Sequence, residues 1–191
     1  MNIPFIDLDA QKQFLGQKIE DAVSNVLKHK KFINGPEVSE FEKLMSEFSH
    51  VNEVITCGSG TDALLLPLMA IGVGKGDAVF VPSFTFVATA NSVKSVGAKP
   101  VFVDILKDNY TMDPDDLKKK ITRRSRAIIP VHLYGHMAYM DEILEIAKKK
   151  NIKERMRSTD SDKKMVIRSV SSQENLLHSH QILVSYIWVY W

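Results

Sequence analysis

Apolar residues near the start of the chain recur at helical spacing. Phe14, Leu15, Ile19, Ala22, Val23, Val26 and Leu27 share one face of residues 9–29, which predicts an amphipathic helix. Gly35-Pro36 breaks the chain, and Val38, Phe41, Leu44, Met45 and Phe48 mark a second helix. From there two kinds of segment alternate. Short apolar runs at 54–57, 78–81, 100–104 and 127–131 predict strands, and residues 61–71, 84–96, 114–121 and 141–150 predict the helices between and after them. The strands are apolar on both faces, as in a parallel sheet covered by helices on each side. The expected fold class is α/β, a mostly parallel sheet with flanking helices and right-handed crossovers. Ligands in such sheets gather beyond the carboxyl ends of the strands, so the informative residues lie just after each strand.

Composition changes this picture at one point. All nine glycines, all seven prolines, all nine phenylalanines and every alanine precede residue 152, while the last 39 residues hold both tryptophans and seven serines. Residues 1–152 carry 19 basic and 19 acidic residues, so the whole formal charge of +2 sits in the tail. An α/β domain uses glycine and proline to turn its chain, so the tail does not read as a continuation of the same domain. The expected organisation is an N-terminal arm and helix over 1–36, a partial large domain over 37–152, and an unrelated tail over 153–191. That tail reads as translated out of frame or disordered. Its apolar end at 181–191 reads as an exposed, β-prone segment.

Charge and cysteine content narrow the function classes. Basic and acidic residues are mixed along the chain, which leaves no footprint for nucleic acid or an anionic membrane. Lys148-Lys149-Lys150 closes a predicted helix, where cations suit the negative end of the dipole. The single cysteine, Cys57, fits a reducing compartment. The first residues lack a basic segment followed by an apolar one, and no apolar run approaches the ~20 residues needed to span a bilayer. The expectation is a cytoplasmic protein.

Two stretches carry candidate chemistry. Cys57-Gly58-Ser59-Gly60-Thr61-Asp62 follows the first predicted strand and opens a helix. Small residues there let the backbone approach a ligand, and the helix start offers unpaired N–H groups, an arrangement suited to phosphate. Ser59 or Thr61 would cap the helix. An ordinary capped strand-to-helix turn fits the same residues. The stretch is neither a P-loop nor a Gly-x-Gly-x-x-Gly dinucleotide fingerprint. After the second strand, Pro82-Ser83-Phe84-Thr85-Phe86 places aromatics one turn into the next helix, where a ring can stack on a planar ligand or simply join the core. His132 and His136 are four apart, but Tyr134-Gly135 between them reads as a turn rather than a helix, so no metal site is expected.

Taken in order, these segments resemble the DegT/StrS family of pyridoxal-phosphate (PLP) dependent sugar-nucleotide aminotransferases. The resemblance rests on Phe32 to Val38, Gly58 to Leu64, Gly72 to Asp77, Pro82 to Thr89, Gly97 to Asp104 and Pro130 to His136, six motifs in sequence between about Ile3 and Ile152. It implies part of the large domain of the aspartate-aminotransferase-like (fold type I) PLP-dependent transferase fold. It also implies PLP as cofactor, a homodimer, and transfer of an amino group from glutamate to a nucleotide-linked keto sugar for polysaccharide or glycan biosynthesis. The wording is most similar to members acting on UDP-linked amino sugars. Carried over by position, Gly58 and Ser59 would hold the PLP phosphate, Gly60 and Thr61 would shape the loop, and Phe86 would lie against the ring. Phe32 to Pro36 would border the substrate mouth.

The sequence departs from the family after Ile152. A strand like Val-Ile-Glu-Asp-Ala-Ala-Gln, whose aspartate pairs with the pyridinium nitrogen, is missing, as is Ser-Phe-x-x-x-Lys with its Schiff-base lysine. Lys163 and Lys164 lie in no matching context. The resemblance therefore assigns no catalytic residue to this chain and implies that it is inactive alone. Two alternatives stand beside it: a non-catalytic module that binds a nucleotide sugar or PLP, and an unrelated nucleotide-binding α/β domain.

Overall fold

The computed structural model describes residues 7–50 and 52–149. The tail at 153–191, with its predicted β-prone end, lies outside the described residues. The chain divides into two compact units, one up to Leu44 and one from Met45 onward.

The first unit is helical. The helix expected over 9–29 is two helices, α1 (Leu8–Leu15) and α2 (Lys18–His29). The reason lies at Gly16, whose φ of 58° ends α1 by a turn that L side chains adopt only under strain. Asp7 caps α1 by accepting from the Ala10 N–H at 2.9 Å. The turn after α2 admits only glycine at residue 35, since a Cβ there would lie 2.5 Å from the Lys31 carbonyl oxygen. His29 Nε2 and Glu37 Oε1, 2.7 Å apart, tie the end of α2 to the start of α3 (Pro36–Ser49). Along these helices Phe14, Val23 and Leu27 remain exposed.

The second unit is a three-layer α/β arrangement. Its parallel sheet has the order β2-β1-β3, formed by β1 (Ala78–Pro82), β2 (Lys99–Val103) and β3 (Ser125–Ile128). β1 is central and buried along its whole length. Its side chains alternate between two cores. Val79 and Val81 join Leu64 and Leu68 of α4 (Gly60–Ala70) with Ala88 and Val93 of α5 (Ala88–Ser95). Phe80 faces the other way, into Val103, Met112, Leu117 of α6 (Pro114–Lys120), and Met140 and Ile143 of α7 (Met140–Lys149). The helices over 61–71, 114–121 and 141–150 are thus present within a residue at either end.

Three expectations are corrected. Residues 54–57 form no strand, because no segment among the described residues pairs with them in a ladder. The helix expected from residue 84 begins only at Ala88, since residues 83–87 turn the chain out of β1 first. The third sheet strand covers 125–128 rather than 127–131. Beyond it Ile129 still donates to the Phe80 carbonyl, before Pro130 removes the next donor.

Candidate functional site

Where the helices point decides where a site can form. The end of α4 meets the amino edge of the sheet, because Arg126 of β3 donates to the Ile71 carbonyl at 2.9 Å. The end of α5 arrives at the same edge, since a Cβ on Gly97 would lie 3.8 Å from the Lys75 nitrogen, just ahead of β1. The amino ends of α4 and α5 therefore sit together at the opposite, carboxyl edge. That brings Gly58, Ser59, Gly60 and Thr61, which lead into α4, to the same edge as Phe86, two residues before α5. Phe86 precedes the helix instead of lying one turn inside it.

The loop itself is a helix cap. Ser59 is extended (φ −159°, ψ 164°), and its Oγ accepts from the Asp62 N–H at 3.1 Å. Of the two hydroxyls considered, Ser59 is the cap. The first intrahelical bond runs from the Ala63 N–H to the Ser59 carbonyl. The N–H groups of Gly60 and Thr61 precede it, so they have no helical acceptor. Gly58 and Ser59 are exposed, and the positive end of the α4 dipole adds to the attraction for an anion.

Asp62 belongs to this site and was not singled out by sequence reasoning. Its Oδ2 accepts from Ser59 Oγ at 3.0 Å and lies 3.2 Å from where a Cβ on Gly58 would sit. The Ser-x-x-acid spacing of a capping box was the available signal.

Phe86 is 65% exposed, so it is not a core residue, and its ring is available to a planar partner. Behind it Thr89 is fully buried, with its Oγ1 3.0 Å from that of Thr85, while the Thr89 N–H donates to the Phe86 carbonyl. Phe84 packs at 5.9 Å against Tyr110 from the loop after β2. The turn after β3 carries Tyr134 in the left-handed region (φ 53°), and Tyr134 is exposed too.

His132 and His136 sit in different surroundings. His132 Nδ1 accepts from the Ala138 N–H at 3.1 Å, whereas His136 is exposed. Burial holds the His132 ring below its ordinary value. Cys57 is partly buried, and its Sγ lies 3.4 Å from the Ser59 carbonyl. Phe32 to Pro36 lies in the first unit, in the connection between α2 and the start of α3.

Comparison with known proteins bears on this geometry. A family model described as the DegT/DnrJ/EryC1/StrS aminotransferase family matches residues 13–153. A UDP-2-acetamido-2-deoxy-3-oxo-D-glucuronate aminotransferase of Pseudomonas aeruginosa is 48% identical over 150 residues, which is 78% of this chain and 42% of that protein. Among solved structures, a DegT DnrJ EryC1 StrS aminotransferase from Brucella abortus is 46% identical, with a TM-score of 0.74 over 78% of this chain and 42% of that one. NtdA from Bacillus subtilis, solved with bound cofactor PMP, is 36% identical, with a TM-score of 0.71 over 78% and 34%. The chain thus spans less than half the length of the relatives it matches. The fold these structures share with it is the fold type I transferase fold, of which the second unit is part.

Proposed function

This chain belongs to the DegT/DnrJ/EryC1/StrS aminotransferase family, and on that premise we propose that it holds the cofactor phosphate in an aminotransferase acting on a nucleotide-linked keto sugar. The observation that carries the reading is the open amino end of α4. Gly58 leaves the approach clear, Gly60 and Thr61 offer N–H donors, and the Ser59 hydroxyl is within reach once it turns from Asp62. Phe86 would cover one face of a pyridine ring whose phosphate sat there. PLP, when bound, supplies an aldehyde to carry the amino group and a ring that takes up the electron pair released at the substrate carbon.

In this reading the amino donor is glutamate and the functional unit is a homodimer. The chain itself binds and orients; it contains no Ser-Phe-x-x-x-Lys segment to move a proton at the substrate carbon. We therefore propose cofactor binding without turnover for these 191 residues alone.

Pyridoxamine phosphate tests this best, because it has no aldehyde to react with surface lysines. Titrated into the full chain and followed by its fluorescence, it should bind saturably and be displaced by inorganic phosphate. Gly58→Asp, which sets a carboxylate beside Asp62, should weaken binding at least about tenfold, the size of one lost charge-assisted contact. Binding that ignores both phosphate and Gly58→Asp would sink the proposal.

A further inference from the structure

Basic and acidic residues are mixed along the chain, but the second unit sorts them by edge. α4, α5 and α6 each run from the carboxyl edge of the sheet to its amino edge, because each leads into the start of a strand. Acidic first turns, with Asp62 in α4 and Asp115 and Asp116 in α6, therefore gather at the carboxyl edge. Basic last turns gather at the amino edge, with Lys94 in α5 and Lys118 and Lys119 in α6.

The strand starts add further cations there. Lys99 opens β2 opposite Ala78, the first residue of β1. The Arg124 carbonyl, just ahead of β3, accepts from the Ala78 N–H at 2.8 Å, and Arg123 precedes it in the chain. The Lys75 nitrogen lies 3.8 Å from where a Cβ on Gly97 would sit, and the Gly97 N–H donates to the Lys94 carbonyl at 2.9 Å. All of these lysines and arginines are exposed, and none is in an ion pair with a carboxylate of the described residues.

Helix dipoles account for part of this only. Lys94, Lys118 and Lys119 suit the negative ends of their own helices, each worth about half a charge. Lys75, Lys99, Arg123 and Arg124 stand in no helix. Two carboxylates lie near. Asp77 accepts from the Gly74 N–H at 3.1 Å, and Glu145 is paired with Lys149. Lys149, and after it Lys118, hold the Glu145 carboxyl below its ordinary value. The edge stays strongly positive after both are counted.

We propose that the amino edge of the sheet docks this chain onto a lipid bilayer rich in anionic headgroups. The spread of the cations selects this partner. They extend across three layers, from the end of α5 through strand starts about 4.8 Å apart to the end of α6, so they cover an area rather than a line. An extended acidic peptide or a single nucleic-acid strand would meet one row of them. Residues 72–78, 94–99 and 118–125, which form the edge, contain no aromatic ring on which bases could stack. Most of the cations are lysines, point charges that suit mobile headgroups better than the fixed geometry of one phosphate. Bound this way, the chain turns its carboxyl edge, with Ser59 and Phe86, away from the lipid.

Co-sedimentation of the full chain with phosphatidylcholine vesicles containing about 30 mol% phosphatidylserine tests the proposal. Binding should be saturable, absent on phosphatidylcholine alone, and lost in about 1 M salt, where charges act over only about 3 Å. Lys75→Gln/Lys99→Gln should weaken it about 30-fold, each cation near the surface being worth about 5-fold. Lys107→Gln, in the loop that leaves the carboxyl end of β2, should not change it. Urea midpoints check that each variant folds, and Arg123→Gln/Arg124→Gln carries the same expectation if the lysine pair does not. No binding to anionic vesicles overturns the proposal. Binding of undiminished strength in the folded edge variants also overturns it, because basic residues beyond 152 would then carry the contact. So does tighter binding of duplex DNA or polyglutamate than of vesicles, since the partner would then be of another class. No pyridoxamine phosphate enters the measurement, so this proposal and the cofactor reading fail separately.

Discussion

At Ser59 one hydroxyl accepts from the Asp62 backbone and donates to the Asp62 carboxylate. The carboxylate thus occupies the Ser59 hydroxyl that an anion at this loop would use. Asp62→Asn should therefore tighten the binding of inorganic phosphate several-fold by isothermal titration. If affinity falls instead, Asp62 is organising the loop rather than opposing its ligand. Ser59→Ala should lower stability by about 1 kcal/mol in urea denaturation, as lost caps do. The buried imidazole of His132 gives a pH signature. Its folded value lies below the ordinary 6.5, so below that pH the unfolded chain takes up a proton that the fold refuses. Stability should fall as the solution is acidified through this window and level off once the folded ring is also protonated. His132→Gln should remove that component from urea midpoints compared above and below pH 6.5. Much of this site was legible beforehand: small residues between a strand-like run and a helix announce a loop built for close approach. The identity of the cap was not, because Ser59 and Thr61 offer the same hydroxyl and only the backbone turn chooses between them.

Among the elements, the helices were read more accurately than the strands, for a physical reason. A helix such as α6 carries its signals locally, with Asp113 capping Asp115 at 2.8 Å, Pro114 in the first turn and three lysines at the end. A strand exists only if another chain segment lies beside it. Residues 54–57 look like a strand and pair with no other segment among the described residues. Gly16 shows the converse limit, since an apolar stripe continues across a break that the backbone makes. The tether between β2 and α6 yields a prediction at this scale. Asp116 accepts from the Asp104 N–H at 2.7 Å and pairs with Lys120 Nζ at 2.6 Å, and Lys120 also donates to the Phe102 carbonyl. The Asp104 backbone bond, followed by Lys120, holds the Asp116 carboxyl below its ordinary 3.8. The stability this supplies is present above pH 3.8 and is lost as pH falls through the depressed folded value. Asp116→Asn should lower the melting temperature at neutral pH, and the gap to the wild type should narrow as pH falls below 3.8.

For the whole molecule, the reversal in strand order has a consequence in time. β1 meets β2 across 21 residues of chain, from Ala78 to Lys99, but meets β3 across 47, from Ala78 to Ser125. Closing the longer loop costs about 0.7 kcal/mol more chain entropy. The β1-α5-β2 unit can also leave the ribosome complete before β3 has been made. For that interval β1, the most buried strand of the finished sheet, is itself an edge, with its Ala78 and Phe80 backbone unpaired on one side. Pulse-labelled exchange during refolding should find β2 amides protected before those of β3. A helper that shields one bare strand edge briefly would raise the yield of folded chain more than one acting on the helices.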